Sequence, residues 1–134
     1  MPRILVVDDE PNVRRLIQIN LERHGYTVET ACDGIGAVAA LRDRRPDLLI
    51  IDRELSGEMS AEQLVSQIRL DPAMKTLPVI YLRTADGYND GPVLPPWDTC
   101  LHLTRPFHPA ELLQLVKRTL VTPPEPVLFM PIDI

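Results

Sequence analysis

The chain has 134 residues, of which 45% are hydrophobic and 4% aromatic, and its net charge is −5. This length suits one domain with a single core of aliphatic side chains, and the composition excludes a disordered chain. The acidic balance offers no basic surface for nucleic acid, and no apolar run approaches the roughly 20 residues of a membrane span.

We therefore expect a cytoplasmic, soluble domain without a membrane segment, in which any contact with DNA would need another module. Cys32 and Cys100 lack the spacing of a metal or redox motif. They are expected to be packing thiols in a reducing compartment. The first residues contain no apolar stretch typical of a signal peptide.

Two hydrophobic patterns alternate along the first half of the chain. Short apolar or β-branched runs predict strands at residues 3–7, 27–31 and 47–51. The first helix should lie between the first two strands and end at Gly25. Its apolar positions, which recur at helical spacing, are Val13, Leu16, Ile17 and Leu21. A second helix is predicted at residues 36–44.

The second half continues this alternation. Ser60 and Gln63 have the spacing of a capping box, so a third helix should begin there and end by Asp71. Pro109 should open the last helix. Further strands are predicted at residues 77–82 and 100–103. Apolar strands separated by amphipathic helices indicate an α/β fold with a parallel sheet covered on both faces.

Two segments depart from this pattern. Residues 84–97 contain two Gly and three Pro where the alternation requires a helix, so we predict a loop in its place. Residues 121–134 contain four Pro, which is typical of an extended segment. We therefore predict one folded domain at residues 1–121, followed by a tail or linker at residues 122–134.

Polar or charged side chains follow several predicted strands at the point where each strand ends. Asp8 and Asp9 follow the first strand, Asp52 the third, Thr84 the fourth and Arg105 the fifth. The carboxyl ends of parallel strands share one edge of a sheet, where such folds bind ligands. Clustered carboxylates favour a hard cation such as Mg²⁺, and one of them can act as a nucleophile toward a phosphoryl group.

The segments "ILVVDDEPNVRRLI", "ACDGIGAVAAL", "PDLLIID" and "TRPFHPAELL" occur in this order. Together they closely resemble the receiver domain of two-component response regulators, from residue 3 to about residue 121. The resemblance implies a doubly wound, flavodoxin-like sheet of five parallel strands in the order 2-1-3-4-5. In this chain, the family's fourth helix would be replaced by the Gly- and Pro-rich loop.

The resemblance also implies roles for individual residues. Asp52 would be the phosphoacceptor, and Asp8, Asp9, Asp52 and the backbone carbonyl of Glu54 would surround Mg²⁺, with Asp8 mainly orienting the others. Arg105 stands where the family has a lysine, and the bond between it and the following proline is expected to be cis. His102 stands at the position of the family's switch aromatic.

The chain differs from the family pattern at several of these positions. Ser56 replaces a proline and Ser60 a glycine, while Glu54 adds a fourth carboxylate near the metal. The family's conserved threonine or serine matches Thr84 if one residue is inserted and Arg83 if none is. We favour Thr84 and keep Arg83 as the alternative. Arginine is a planar fork and lysine a point charge, so Arg105 is not a neutral exchange.

The predicted function is that of a signalling domain that receives a phosphoryl group on Asp52 from a histidine kinase or phosphotransfer protein. It would act on a downstream protein or a fused output domain, and it could form a homodimer. It would not be an enzyme beyond self-catalysed phosphotransfer and autodephosphorylation. Two alternatives are a pseudo-receiver that has lost phosphorylation and an aspartate-nucleophile phosphatase of the dehalogenase type, which "DRELS" faintly imitates.

Simpler explanations exist for several of these residues. Asp9 could chiefly cap the first helix. Arg105 could pair with Asp52 and neutralise an inactive site, and His102 could be a packed side chain. Gly34, Gly36 and Ala39 match a short fingerprint of dinucleotide-binding sites. The Asp-Gly turn of the receiver family explains these residues better.

Overall fold

The computed structural model describes residues 1–83 and 100–121. Within them, five parallel strands form one sheet in the order β2-β1-β3-β4-β5, as expected. The strands are β1 (Arg3–Val7), β2 (Thr27–Ala31), β3 (Leu48–Asp52), β4 (Val79–Arg83) and β5 (Cys100–Thr104). The helices are α1 (Pro11–Glu22), α2 (Gly34–Asp43), α3 (Ala61–Arg69) and α4 (Pro109–Val121), with a 3-10 helix at Pro72–Met74.

The central strand β3 shows why the sheet is covered on both sides. All five of its residues are buried. Leu49 and Ile51 pack in the cluster that includes α2 and α3, whereas Leu48 and Ile50 pack in the cluster that includes α1 and α4. Alternate side chains of a strand point to opposite faces, so a continuous apolar run is stable only when both faces are covered.

Local signals in the sequence define where the helices begin. Ser60 and Gln63 form the predicted capping box of α3, and Pro109 is the first residue of α4. Helix α1 is capped by Glu10, whose side chain accepts a hydrogen bond from the N–H of Asn12. The alternative in which Asp9 caps this helix is therefore wrong.

Strands β1 and β2 have the predicted bounds, whereas several other observed boundaries differ from the predicted ones by one to three residues. Strand β3 is shifted by one position, so that Asp52 is its last residue instead of the residue after it. Helix α2 begins at Gly34 because the Asp33 side chain caps it. The 3-10 helix at Pro72–Met74, capped by Asp71, was not predicted.

Several predictions fall outside the described residues. They are the loop predicted between β4 and β5, the role of Thr84, and the tail at residues 122–134. In the described part of the chain, no helix is long and apolar enough to cross a membrane.

Candidate functional site

Three carboxylates meet at the carboxyl edge of the sheet. Asp8 follows β1 directly, Asp9 comes next, and Asp52 ends β3. Each offers an oxygen within 4.8 Å of the oxygens offered by the other two. Asp8 and Asp52 are buried, whereas Asp9 is exposed. The expected convergence of these three residues is therefore observed.

Both carboxylate oxygens of Asp8 already have partners. Its Oδ1 accepts a hydrogen bond of 2.9 Å from the N–H of Glu10, and its Oδ2 accepts one of 2.7 Å from Nη2 of Arg105. The carbonyl oxygen of Asp8 also accepts from Nη1 of Arg14 at 2.8 Å. These contacts suit the predicted role of Asp8, which is to orient its neighbours instead of supplying a free oxygen.

One oxygen of the Asp52 carboxylate accepts a hydrogen bond, and the other has only a longer contact with Arg105. The Oδ1 atom of Asp52 accepts a hydrogen bond of 2.9 Å from the N–H of Glu54. Its Oδ2 lies 3.7 Å from Nη2 of Arg105, beyond hydrogen-bond distance. Burial raises the pKa of Asp52, and the negative charges of Asp8 and Asp9 act in the same direction. The Glu54 N–H and the charge of Arg105 oppose that rise.

Arg105 follows β5 and makes its shorter contact with Asp8, not with Asp52. The Arg105–Pro106 peptide bond is cis, as predicted. The Nε atom of Arg105 is buried without a hydrogen-bond partner among the described residues. The alternative in which Arg105 simply neutralises Asp52 therefore does not describe its main interaction.

The Asp9 carboxylate accepts hydrogen bonds from the loop between β3 and α3, an interaction that we did not predict. The Ser56 hydroxyl donates a hydrogen bond of 2.6 Å to Oδ2 of Asp9, and the Ser56 N–H lies 3.4 Å from the same oxygen. The signal in the sequence was the serine in place of the family's proline. A difference in residue type could not by itself indicate which carboxylate the serine contacts.

The donor set of this cluster fits a magnesium ion. The three clustered side chains offer carboxylate oxygens, which hard divalent cations prefer. Together with Arg105, the three carboxylates leave two negative charges uncompensated within the cluster, which is the charge a divalent cation would balance. Asp9 and Asp52 accept hydrogen bonds from the described residues on one carboxylate oxygen each, whereas Asp8 accepts them on both, so Asp9 and Asp52 are the better placed ligands. The carbonyl of Glu54 stays a predicted ligand.

His102 lies outside the carboxylate cluster, on β5. Its ring stacks on Tyr81, with the ring centroids 5.4 Å apart and the planes inclined by 21°. Partial burial lowers the pKa of His102, and the positive charges of Arg83 and Arg53 lower it further. Its switch role stays a prediction.

Arg83 ends β4 beside the site. The pairing of β4 with β5 is continuous from Val79 to Arg83, and the N–H of Arg105 donates to the Arg83 carbonyl at 2.7 Å. An alignment without an insertion would give Arg83 the family's threonine position. Because Thr84 lies outside the described residues, its assignment stays a prediction.

Two further features of the structure were not predicted from the sequence. Arg53 forms a salt bridge of 2.6 Å with Glu62, which connects the residue after Asp52 to the first turn of α3. A Cβ atom on Gly34 would lie 2.8 Å from Cβ of Met59. Gly34 is therefore required by close packing of α2 against the loop before α3, which supports the turn explanation over a dinucleotide site.

This chain is similar to several known proteins. The family model of the response regulator receiver domain matches residues 4–117. The chain is 34% identical over 122 residues to the DNA-binding dual master transcriptional regulator RpaA of Synechocystis, covering 90% of this chain and 49% of RpaA. It is 31% identical to protein PilG of Pseudomonas aeruginosa, covering 86% of this chain and 84% of PilG.

Solved structures agree with these matches. The chemotaxis response regulator CheY4 of Vibrio cholerae superimposes with a TM-score of 0.76 at 30% identity, covering 90% of this chain and 99% of CheY4. This chain spans about half the length of RpaA and of the alkaline phosphatase synthesis regulator PhoP of Bacillus subtilis. The chain belongs to the family of response regulator receiver domains, the signalling modules of two-component systems.

Proposed function

We propose that this domain receives a phosphoryl group on Asp52 from a phosphohistidine of a histidine kinase or phosphotransfer protein. The observation that carries the proposal is the state of the Asp52 carboxylate. The central strand and the Glu54 N–H fix its Oδ1, while Oδ2 has no partner closer than Arg105 at 3.7 Å among the described residues. A fixed carboxylate with one available oxygen suits a nucleophile.

In the transfer, Oδ2 of Asp52 would form a bond to phosphorus while the bond from phosphorus to the histidine nitrogen breaks. The electron pair of that bond would stay on the imidazole of the donor. Arg105 would turn from Asp8 toward the transferred phosphoryl oxygens, and its planar fork suits two of them. A magnesium ion held by Asp9 and by the Asp52 oxygen that does not bond to phosphorus would balance the charge on those oxygens.

The alternative is an interaction domain that has the receiver fold without phosphorylation. The observation in its favour is the Arg105–Asp8 pair, which keeps the site's cation away from Asp52. In that case partner binding would not depend on the modification of Asp52. The two functions differ in a single measurable property, the reactivity of Asp52.

The remaining parts of the proposal concern the protein around the site. Residues 1–121 would form the receiver domain in the cytoplasm, and residues 122–134 would form a tail or linker. Phosphorylation would change contacts with a downstream protein or a fused output domain, or pairing with a second copy. The support for an output role comes from relatives such as RpaA and PhoP, which are named as transcriptional regulators.

The deciding experiment is the intact mass of the protein after incubation with acetyl phosphate, with Mg²⁺ or with EDTA. We expect the mass of one added phosphoryl group on the wild type in Mg²⁺, and none in EDTA or on Asp52→Asn. The matched control is Asp43→Asn, which changes an exposed aspartate of α2 and should react as the wild type does. A wild type that gains no mass under any condition would support the interaction domain instead.

A further inference from the structure

The loop between β3 and α3 contains a polar residue, Ser56, that contacts the carboxylate cluster at Asp9. Ser56 lies four positions after Asp52, and its hydroxyl donates a 2.6 Å hydrogen bond to Oδ2 of Asp9. The two residues are 47 positions apart in the sequence, so the bond connects the loop after β1 to the loop after β3. A distance of 2.6 Å is typical of a hydroxyl that donates to a charged carboxylate.

The geometry points to Ser56 as a positioning residue that holds Asp9 ready for a divalent cation. This inference rests on the proposed metal-dependent function. Of the three carboxylates, Asp9 alone is exposed, so its side chain has the most freedom to rotate away from the other two. The hydrogen bond occupies Oδ2 and leaves Oδ1 available to a cation. Residues that orient a metal ligand in this way raise metal affinity, because the ligand side chain then loses less conformational entropy when the metal binds.

The residue type matters because the family's usual proline could not make this contact. Proline has neither a hydroxyl nor a backbone N–H, whereas Ser56 directs both groups at Oδ2 of Asp9. Gly57, the next residue, has φ +106°, a conformation that favours glycine. The loop therefore turns immediately after Ser56.

The test is the dissociation constant of Mg²⁺, measured by calorimetry and by NMR amide shifts on the unphosphorylated chain. We expect Ser56→Ala to weaken Mg²⁺ binding about tenfold, the lower end of the cost of losing a residue behind a metal ligand. Ser56→Thr keeps the hydroxyl and should bind Mg²⁺ within about twofold of the wild type. Ser66→Ala, an exposed serine of α3, is the matched control and should bind as the wild type does.

Thermal unfolding in EDTA shows whether each variant is folded before Mg²⁺ is added. Equal affinities of the wild type and Ser56→Ala would overturn the inference alone. A threonine variant as weak as the alanine variant would also overturn it, because the hydroxyl would then not be the cause. If the wild type itself did not bind Mg²⁺, the metal-dependent function and this inference would both fail.

Discussion

Arg105 and Asp8 form an ion pair of 2.7 Å in which the aspartate is fully buried and the arginine is one quarter exposed. The pair joins the end of β5 to the end of β1, across the two strands that lie between them in the sheet. The same guanidinium nitrogen lies 3.7 Å from Asp52. Arg105 therefore compensates the buried charge of Asp8, and the same guanidinium also lies near Asp52.

Arg105→Ala should lower the free energy of unfolding by about 2 kcal/mol in EDTA, because it leaves a buried carboxylate without its counter-charge. Mg²⁺ should restore part of that loss, since the cation neutralises the same cluster. Urea unfolding in EDTA and in Mg²⁺ measures both effects. Arg42→Ala, at an exposed position of α2, is the control and should change stability little. Equal stability of Arg105→Ala and wild type in EDTA would contradict the expectation.

The charge on Asp52 should make the metal-free protein less stable at neutral pH. Burial raises the pKa of Asp52 above its ordinary value of 3.8, so the folded state binds this proton more tightly than the unfolded state does. The resulting stabilisation is complete below pH 3.8 and is lost as the pH rises through the higher, folded-state pKa.

Asp52→Asn removes this titration and can still accept the hydrogen bond from Glu54. We expect it to be more stable than the wild type at neutral pH in EDTA, with the difference vanishing below the ordinary pKa of an aspartate. Thermal unfolding across that pH range provides the measurement. A difference that did not change with pH would show that ionisation of Asp52 is not its cause.

The Arg53–Glu62 salt bridge should stabilise the segment that follows Asp52. The two side chains are 8% and 25% exposed and lie 2.6 Å apart, and Glu62 is in the first turn of α3, where a negative charge is favourable. Glu62→Gln should therefore cost about 1 kcal/mol in chemical unfolding. Glu58→Gln, at an exposed position of the preceding loop, is the control. If both variants cost the same, the salt bridge would not be the cause.

The elements with regular patterns were predictable from the sequence. Strands β1 and β2 were predicted with their observed ends, and the site was located because carboxylates follow parallel strands that end at one edge. The contact between Ser56 and Asp9 was not predictable. Its direction depends on loop dihedral angles, such as φ +106° at Gly57, that hydrophobic periodicity does not encode.

The partner of Arg105 could not be predicted from the sequence either. Asp8 and Asp52 are both placed near the end of β5 by the sheet order, and only the side-chain geometry shows that Asp8 receives the shorter contact. The strand pattern placed Asp52 in the site, and the family resemblance supplied the roles of the residues. It offered no basis for an interaction of Ser56, since the family has proline there.

Gly34 provides a test of the packing between α2 and the loop before α3. A Cβ atom there would lie 2.8 Å from Cβ of Met59 and 3.2 Å from its backbone carbonyl oxygen. A side-chain rotation cannot relieve the contact with the carbonyl, so α2 or the loop must move. Gly34→Ala should therefore cost about 1–3 kcal/mol in urea unfolding, despite the better helix propensity of alanine.

Gly36→Ala is the matched control in the same helix. Its added Cβ would meet Oδ1 of Asp33 at 3.1 Å, and its next neighbour would be at 3.7 Å. The backbone N–H of Gly36 still donates to Asp33 after the change, and alanine favours the helix, so the net change should stay within about 1 kcal/mol. If Gly34→Ala were as stable as Gly36→Ala, close packing against Met59 would not explain the glycine.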